Sequence, residues 1–182
     1  TEGTAVPATT FVRQTNLPRL GLEVARIPIP DWTQLGDADN IPVNRRGNVE
    51  VEFYVNPISI GHVLNALMGP PTTTGTSSPY THTFNPKNGV AYTVEASYGT
   101  GGYQINGAKC DGLRLEHASN TLLTARAMFS GRDRLAVTPQ STQTFELLAF
   151  RPANLSITRN GTQLQARTER VQVNISKPTE SV

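Results

Sequence analysis

Apolar and polar residues alternate along much of this chain, and the period is two far more often than 3.6. In the stretch NVEVEFYV, Val49, Val51, Phe53 and Val55 alternate with Asn48, Glu50, Glu52 and Tyr54, which predicts a strand with one apolar and one acidic face. Asn56-Pro57 follows at once, an N-cap residue with proline at the first helical position. Ile60, Val63, Leu64 and Leu67 then recur at helical spacing until Gly69-Pro70-Pro71 supplies a stop, so one helix is predicted over 57–68. Its single apolar stripe needs a sheet to cover. Gly61 inside it costs about 1 kcal/mol relative to alanine, and close packing against that sheet is the expected compensation.

Further strands are expected at 20–27, 80–84, 91–98, 111–118, 122–130, 144–150, 155–159 and 170–175. The runs at 80–84 and 91–98 face each other across a turn at 85–89 as hairpin material, and Asn160-Gly161 marks another turn. Gly99 to Gly102 reads as a mobile hairpin tip. The fold class is mainly β: an antiparallel β-sandwich or barrel with one flanking α-helix. Two segments resist the pattern. Residues 1–18 show no useful periodicity and are expected to be an N-terminal arm that frays or docks on a neighbour, leaving 19–182 as one β-sandwich domain. Residues 28–48 hold three prolines and two glycines without a sustained pattern, and a structureless loop longer than about 12–15 residues is uncommon unless it is functional. This long loop carries Trp32, Leu35, Ile41, Val43, Arg45 and Arg46, expected as inter-subunit contacts, although a tryptophan tucked under its own loop is an equal reading of Trp32.

Size and charge narrow the choice. With 182 residues the chain is long enough for one real core. Its 16 basic and 14 acidic residues are spread along it for a net charge of +2, so no basic stripe for nucleic acid forms. Thirteen of the basic residues are arginine, the side chain suited to bidentate ion pairs. Cys110 is alone, which excludes an intramolecular disulfide and fits a reducing cytoplasm. No apolar run approaches the roughly 20 residues of a membrane-spanning helix.

The search for catalytic chemistry returns nothing with the right spacing. His62, His82 and His117 lie far apart, on a helix and two strands, and neither metal nor cofactor is expected. There is no nucleophile elbow, and a single cysteine at the head of a strand is more often a small buried hydrophobe than an attacking thiolate. Glu50 and Glu52, about 7 Å apart by strand rise, read as a solvated face rather than a glycosidase pair. An enzyme is not expected. The Ser/Thr-rich composition produces chance glycosylation motifs at Asn154, Asn160 and Asn174.

Arrangement therefore carries more than chemistry. The segments YTHTFNP, YTVEASYG and YQINGAKCDGLRLEHASNTLLTARAMFSGRD, preceded by NVEVEFYVNPISIGHVLNALMG, together resemble the tail tube proteins of long-tailed phages over roughly residues 48–133. That resemblance implies a structural virion subunit that self-assembles into rings stacked as the tail tube, the conduit for DNA delivery into the host. In such a tube the strand before the helix and the hairpin 111–131 line the lumen, and a long loop after the first strand reaches the next ring. Glu50 and Glu52 are then the candidate lumen-facing residues, an acidic wall that passes DNA without holding it, with Arg114 and Arg126 either facing away or pairing with them. The partners implied are other copies of the chain, the tape measure and tail-terminator proteins, and DNA in non-specific transit, with no membrane binding; the implied location is the virion, assembled in the host cytoplasm. The family commonly continues past a segment like ERVQVNISKPTESV, so either a compact variant or part of a longer subunit is expected. A related ring-forming tail-completion or injection protein, and more distantly a carbohydrate-binding β-sandwich using Trp32 and the tyrosines, are the alternatives.

Overall fold

The strand read from NVEVEFYV contributes its apolar residues to the core. The computed structural model describes residues 12, 14–30, 37–77, 80–98, 101–118, 121–138, 150, 158–159, 162–163 and 170–177, with side chains throughout except at 27–30, 37–44, 98, 158–159 and 162–163. Strand β2 (Asp37–Tyr54) pairs antiparallel with β1 (Arg19–Pro30) on one side and with β7 (Thr124–Gly131) on the other. Beyond β7 come the long β6 (Gly101–Ala118) and the edge strand β11 (Arg170–Ser176), giving the order β1-β2-β7-β6-β11. The first half of β6 leaves that sheet and pairs instead with β5 (Tyr92–Tyr98) and β8 (Arg134–Val137). One strand thus serves two halves of a single curled antiparallel sheet, and the mainly β fold with one helix is as expected.

The corner is made by close backbone contact. A Cβ on Gly131 would lie 2.7 Å from the Ile105 side chain and 2.8 Å from the Asn106 carbonyl oxygen, so only glycine lets the end of β7 meet the middle of β6. Strand β6 exchanges β8 and β5 for β7 between Ile105 and Lys109, and a register shift between Cys110 and Gly112 follows, where β11 joins its other edge. Inside the curl, Val49, Val51, Phe53 and Val55 pack with Ile105, Ala108, Leu113, Ala125, Ala127 and Phe129, all buried.

Helix α1 (Pro57–Met68) has the predicted boundaries. The Asn56 side chain accepts from the backbone N–H groups of Ile58 and Ser59 at 3.0 and 2.7 Å, and Ser59 reciprocates toward the Asn56 N–H, satisfying donors that a helix start leaves orphaned. Val63, Ala66 and Leu67 join the core while Ile60 and Leu64 flank it. Gly61 is a correction: a Cβ there would meet nothing within 4 Å, so no close packing offsets its helix penalty. The glycine that touches the helix is Gly89, whose absent side chain admits the Ala66 carbonyl.

Three other expectations are corrected. The run 80–84 does not form a hairpin with 91–98. Its core, β4 (Thr81–Thr83), turns back to pair with β3 (Thr72–Thr74), because β5 is paired with the start of β6. A hairpin does join β5 to β6 across the stretch 99–102 read as a mobile tip, with Tyr98 opposite Gly101, but Gly101 and Gly102 belong to the strand β6 itself. The stretch 28–48 is not a loop over its described length: Pro28 to Pro30 complete β1, and 37–48 belong to β2, in register from Pro30 opposite Asp37 to Gly21 opposite Asn48. Proline lacks a ladder donor but is tolerated where a strand has a free edge, which each strand of a two-stranded ribbon has. Asn160 and Gly161 lie outside the described residues, but the flanking β9 (Thr158–Arg159) and β10 (Thr162–Gln163) pair as expected of a turn between them. Of the run 144–150 only Phe150 is described, linking Val55 and Leu123 through its backbone.

Candidate functional site

Because residues directly opposite one another share a face, the register assigns side chains to the two faces of the β1-β2-β7-β6-β11 sheet. Val51, Ala127 and Leu113 fall on the core side; Glu52, Arg126, Arg114 and Asn174 form one row across the other. A neighbouring row holds Arg19, Glu50 and Met128, and another holds Tyr54, Thr124, Glu116 and Gln172. The outer face is polar, and it is not an acidic wall.

Both glutamates of β2 are ion-paired. Arg126 reaches Glu50 at 3.6 Å and Glu52 at 3.3 Å, and Arg19 lies 3.9 Å from Glu50. Arg114 donates to Glu116 at 3.1 Å and to Gln172 at 2.7 Å, while Arg170 pairs with the other oxygen of Glu116. Arg46 donates to the Ser130 hydroxyl at 2.6 Å and lies 3.6 Å from Asp111. Arg114 and Arg126 therefore share the glutamate face instead of turning from it. The Nε of Arg114 and the Nδ1 of His117 are buried without a hydrogen-bond partner among the described residues.

Glu52 also anchors the end of the N-terminal segment. Burial pushes its carboxyl up, but hydrogen bonds from Asn16 and Arg126, the Arg126 charge and a contact from Thr15 outweigh that, so it sits below its ordinary value. The Thr15 N–H donates to the Glu52 carbonyl at 2.9 Å and Gln14 bridges to Phe53. Val12 packs on the core and Pro18 is buried. The part of the expected arm from Gln14 to Pro18 is thus docked on its own sheet, along the edge of β2 that β1 leaves open; residues 1–11 and 13 lie outside the described residues.

The second surface is the far end of the β1–β2 pair. Since β7 stops opposite Gly47, residues 37–46 and their partners in β1 continue as a two-stranded ribbon with no third strand among the described residues. At roughly 3.3 Å per residue it extends on the order of 30 Å. Of its expected contact residues, Trp32 and Leu35 lie outside the described residues, Ile41 sits opposite Ile27, and Val43 falls at the register shift. Arg45 and Arg46 are engaged within the chain, Arg45 with Asp133 at 3.3 Å and Arg46 as above.

No group of three His, Cys, Asp or Glu side chains placed to hold a metal occurs among the described residues. Cys110 is buried, and burial pushes its thiol up to about 12, so it is protonated at neutral pH and packs as a small apolar side chain. His62 sets its ring edge against Tyr92, and His82 lies 2.8 Å from the Thr73 hydroxyl on an exposed strand pair. No described helix is long and apolar enough to cross a membrane. The decisive comparison is with protein families: the model for the phage tail tube protein family matches residues 1–182, the whole chain. The chain belongs to the phage tail tube protein family. It is accordingly a structural component of the phage tail. No curated protein and no solved structure gives a significant match. Within the family assignment, the polar sheet face and the projecting ribbon are the two surfaces that need a role.

Proposed function

We propose that copies of this chain close into rings that stack into a hollow tube, that the polar face of the β1-β2-β7-β6-β11 sheet lines its lumen, and that DNA passes through it into the host. The observation that carries this reading is the β1–β2 ribbon. An isolated two-stranded ribbon is marginal in water, and strand edges such as those of β1 and β11, unpaired among the described residues, are the kind that proteins either blunt or use for assembly. A second copy that receives the ribbon and pairs those edges supplies what one chain leaves undone. The tape measure protein is then the natural occupant of the lumen before DNA, the tail-terminator caps the last ring, and assembly takes place in the host cytoplasm.

Electron microscopy of concentrated purified protein tests the reading. Hollow tubes of constant width are expected. Isolated rings that never stack would favour a tail-completion role, and a persistent monomer would overturn self-assembly.

A further inference from the structure

Five arginines occupy or border the polar sheet face, and each has a carboxylate beside it: Arg19, Arg46, Arg114, Arg126 and Arg170. The partners are Glu50, Glu52, Glu116 and Asp111, drawn from β2 and β6. Glu23 belongs to the same face, where the Asn48 amide donates to it at 2.8 Å. Exposed pairs of this kind contribute little to stability, about 0–1 kcal/mol each. Their electrostatic consequence is larger. A guanidinium with a carboxylate 3–4 Å away has its field cancelled well inside the Debye length of about 10 Å at 0.1 M salt. Phosphate affinity depends on cations free to displace condensed counterions, and paired ones are not.

We infer that Glu50, Glu52 and Glu116 act as an arginine mask: they keep a sheet face rich in guanidinium groups from retaining duplex DNA. This rests on the lumen reading for its purpose and departs from the acidic wall expected from the alternation of β2 alone. The two ideas make opposite forecasts. If the face repelled DNA by excess negative charge, neutralising two glutamates would leave it indifferent. If the glutamates mask arginines, the same change uncovers Arg126 and Arg19, and DNA is held.

The test uses the isolated full-length subunit first. Binding of a short fluorescent linear duplex is followed by anisotropy for wild type, Glu50→Gln/Glu52→Gln, and the same double variant carrying Arg126→Gln, with folding checked by circular dichroism. The double variant should bind at least about tenfold more tightly than wild type at about 50 mM salt and lose that gain by about 200 mM, while the triple variant returns toward wild type. Equal binding by wild type and double variant, or no rescue by Arg126→Gln, overturns the mask. Assembled tubes of the double variant then address the lumen separately, using sedimentation with linear duplex or with covalently closed circular plasmid. Retention of linear DNA alone supports a masked lumen. Equal retention of the plasmid, which cannot thread the tube, places the masked face outside and overturns the lumen reading while leaving the mask intact.

Discussion

Strand β2 runs through two different environments, and the contrast separates what the chain stabilises by itself from what it leaves for a neighbour. From Gly47 to Tyr54 the strand is paired with β7, and its alternate residues Val49, Val51 and Phe53 are buried under α1 and the curl of β6. From Asp37 to Arg46 the same strand has only β1 beside it among the described residues. The ladder with β1 continues through two register shifts, and among the described residues the third strand stops. Pairing distinguishes the halves, because β7 flanks only the first, and that first half also carries buried core residues, where burying a large aliphatic or aromatic side chain contributes about 1.5–3 kcal/mol.

The largest effect should come from the core half. Phe53→Ala removes a side chain only 1% exposed and should lower unfolding free energy by about 3–5 kcal/mol, read from urea denaturation of the unassembled subunit. A loss below about 1 kcal/mol would mean that the centre of the molecule is not where the fold is held. The ribbon half should behave in the opposite way. Glu23 and Arg46 face each other in register, so replacing residues 24–45 by an Asn-Gly turn closes the hairpin at that rung. The shortened subunit should keep a cooperative unfolding transition within about 1 kcal/mol of the parent yet form no tubes by negative-stain microscopy. Unimpaired tubes would remove the ribbon from assembly, and a subunit that no longer folds would show that the two halves are not separable.

The smallest expected effect lies at the far end of the core half, where the Gln14–Asn16 segment docks on β2 at Glu52. A carboxyl held below its ordinary value binds fewer protons in the folded than in the unfolded state, so its contribution is present above the ordinary carboxylate range and is lost as pH falls through the lowered value. Hydrogen exchange at the Thr15 amide, which donates to the Glu52 carbonyl, should therefore lose protection below about pH 4 before the core amides of β7 do. Glu52→Gln should flatten that dependence. Simultaneous loss at Thr15 and at Ala127 would make the docked segment part of the core, not an attachment to it.

The sequence by itself determined the features whose causes are local. Asn56-Pro57 and Gly69 bound the helix because caps act within one turn of the chain, and the alternation of β2 from Val49 to Val55 names its buried face because side-chain direction on a strand depends only on parity. Tertiary structure decided everything that needed a distant partner. Only pairing with β1 turns the proline-bearing 37–48 stretch into strand, and only the capture of β5 by the start of β6 sends Thr81–Thr83 back to Thr72–Thr74. Glu50 and Glu52 read as acidic because a single strand shows only its own charges. Arg126, 74 residues from Glu52, cancels them because a sheet face sums the charges of every strand that the register brings alongside.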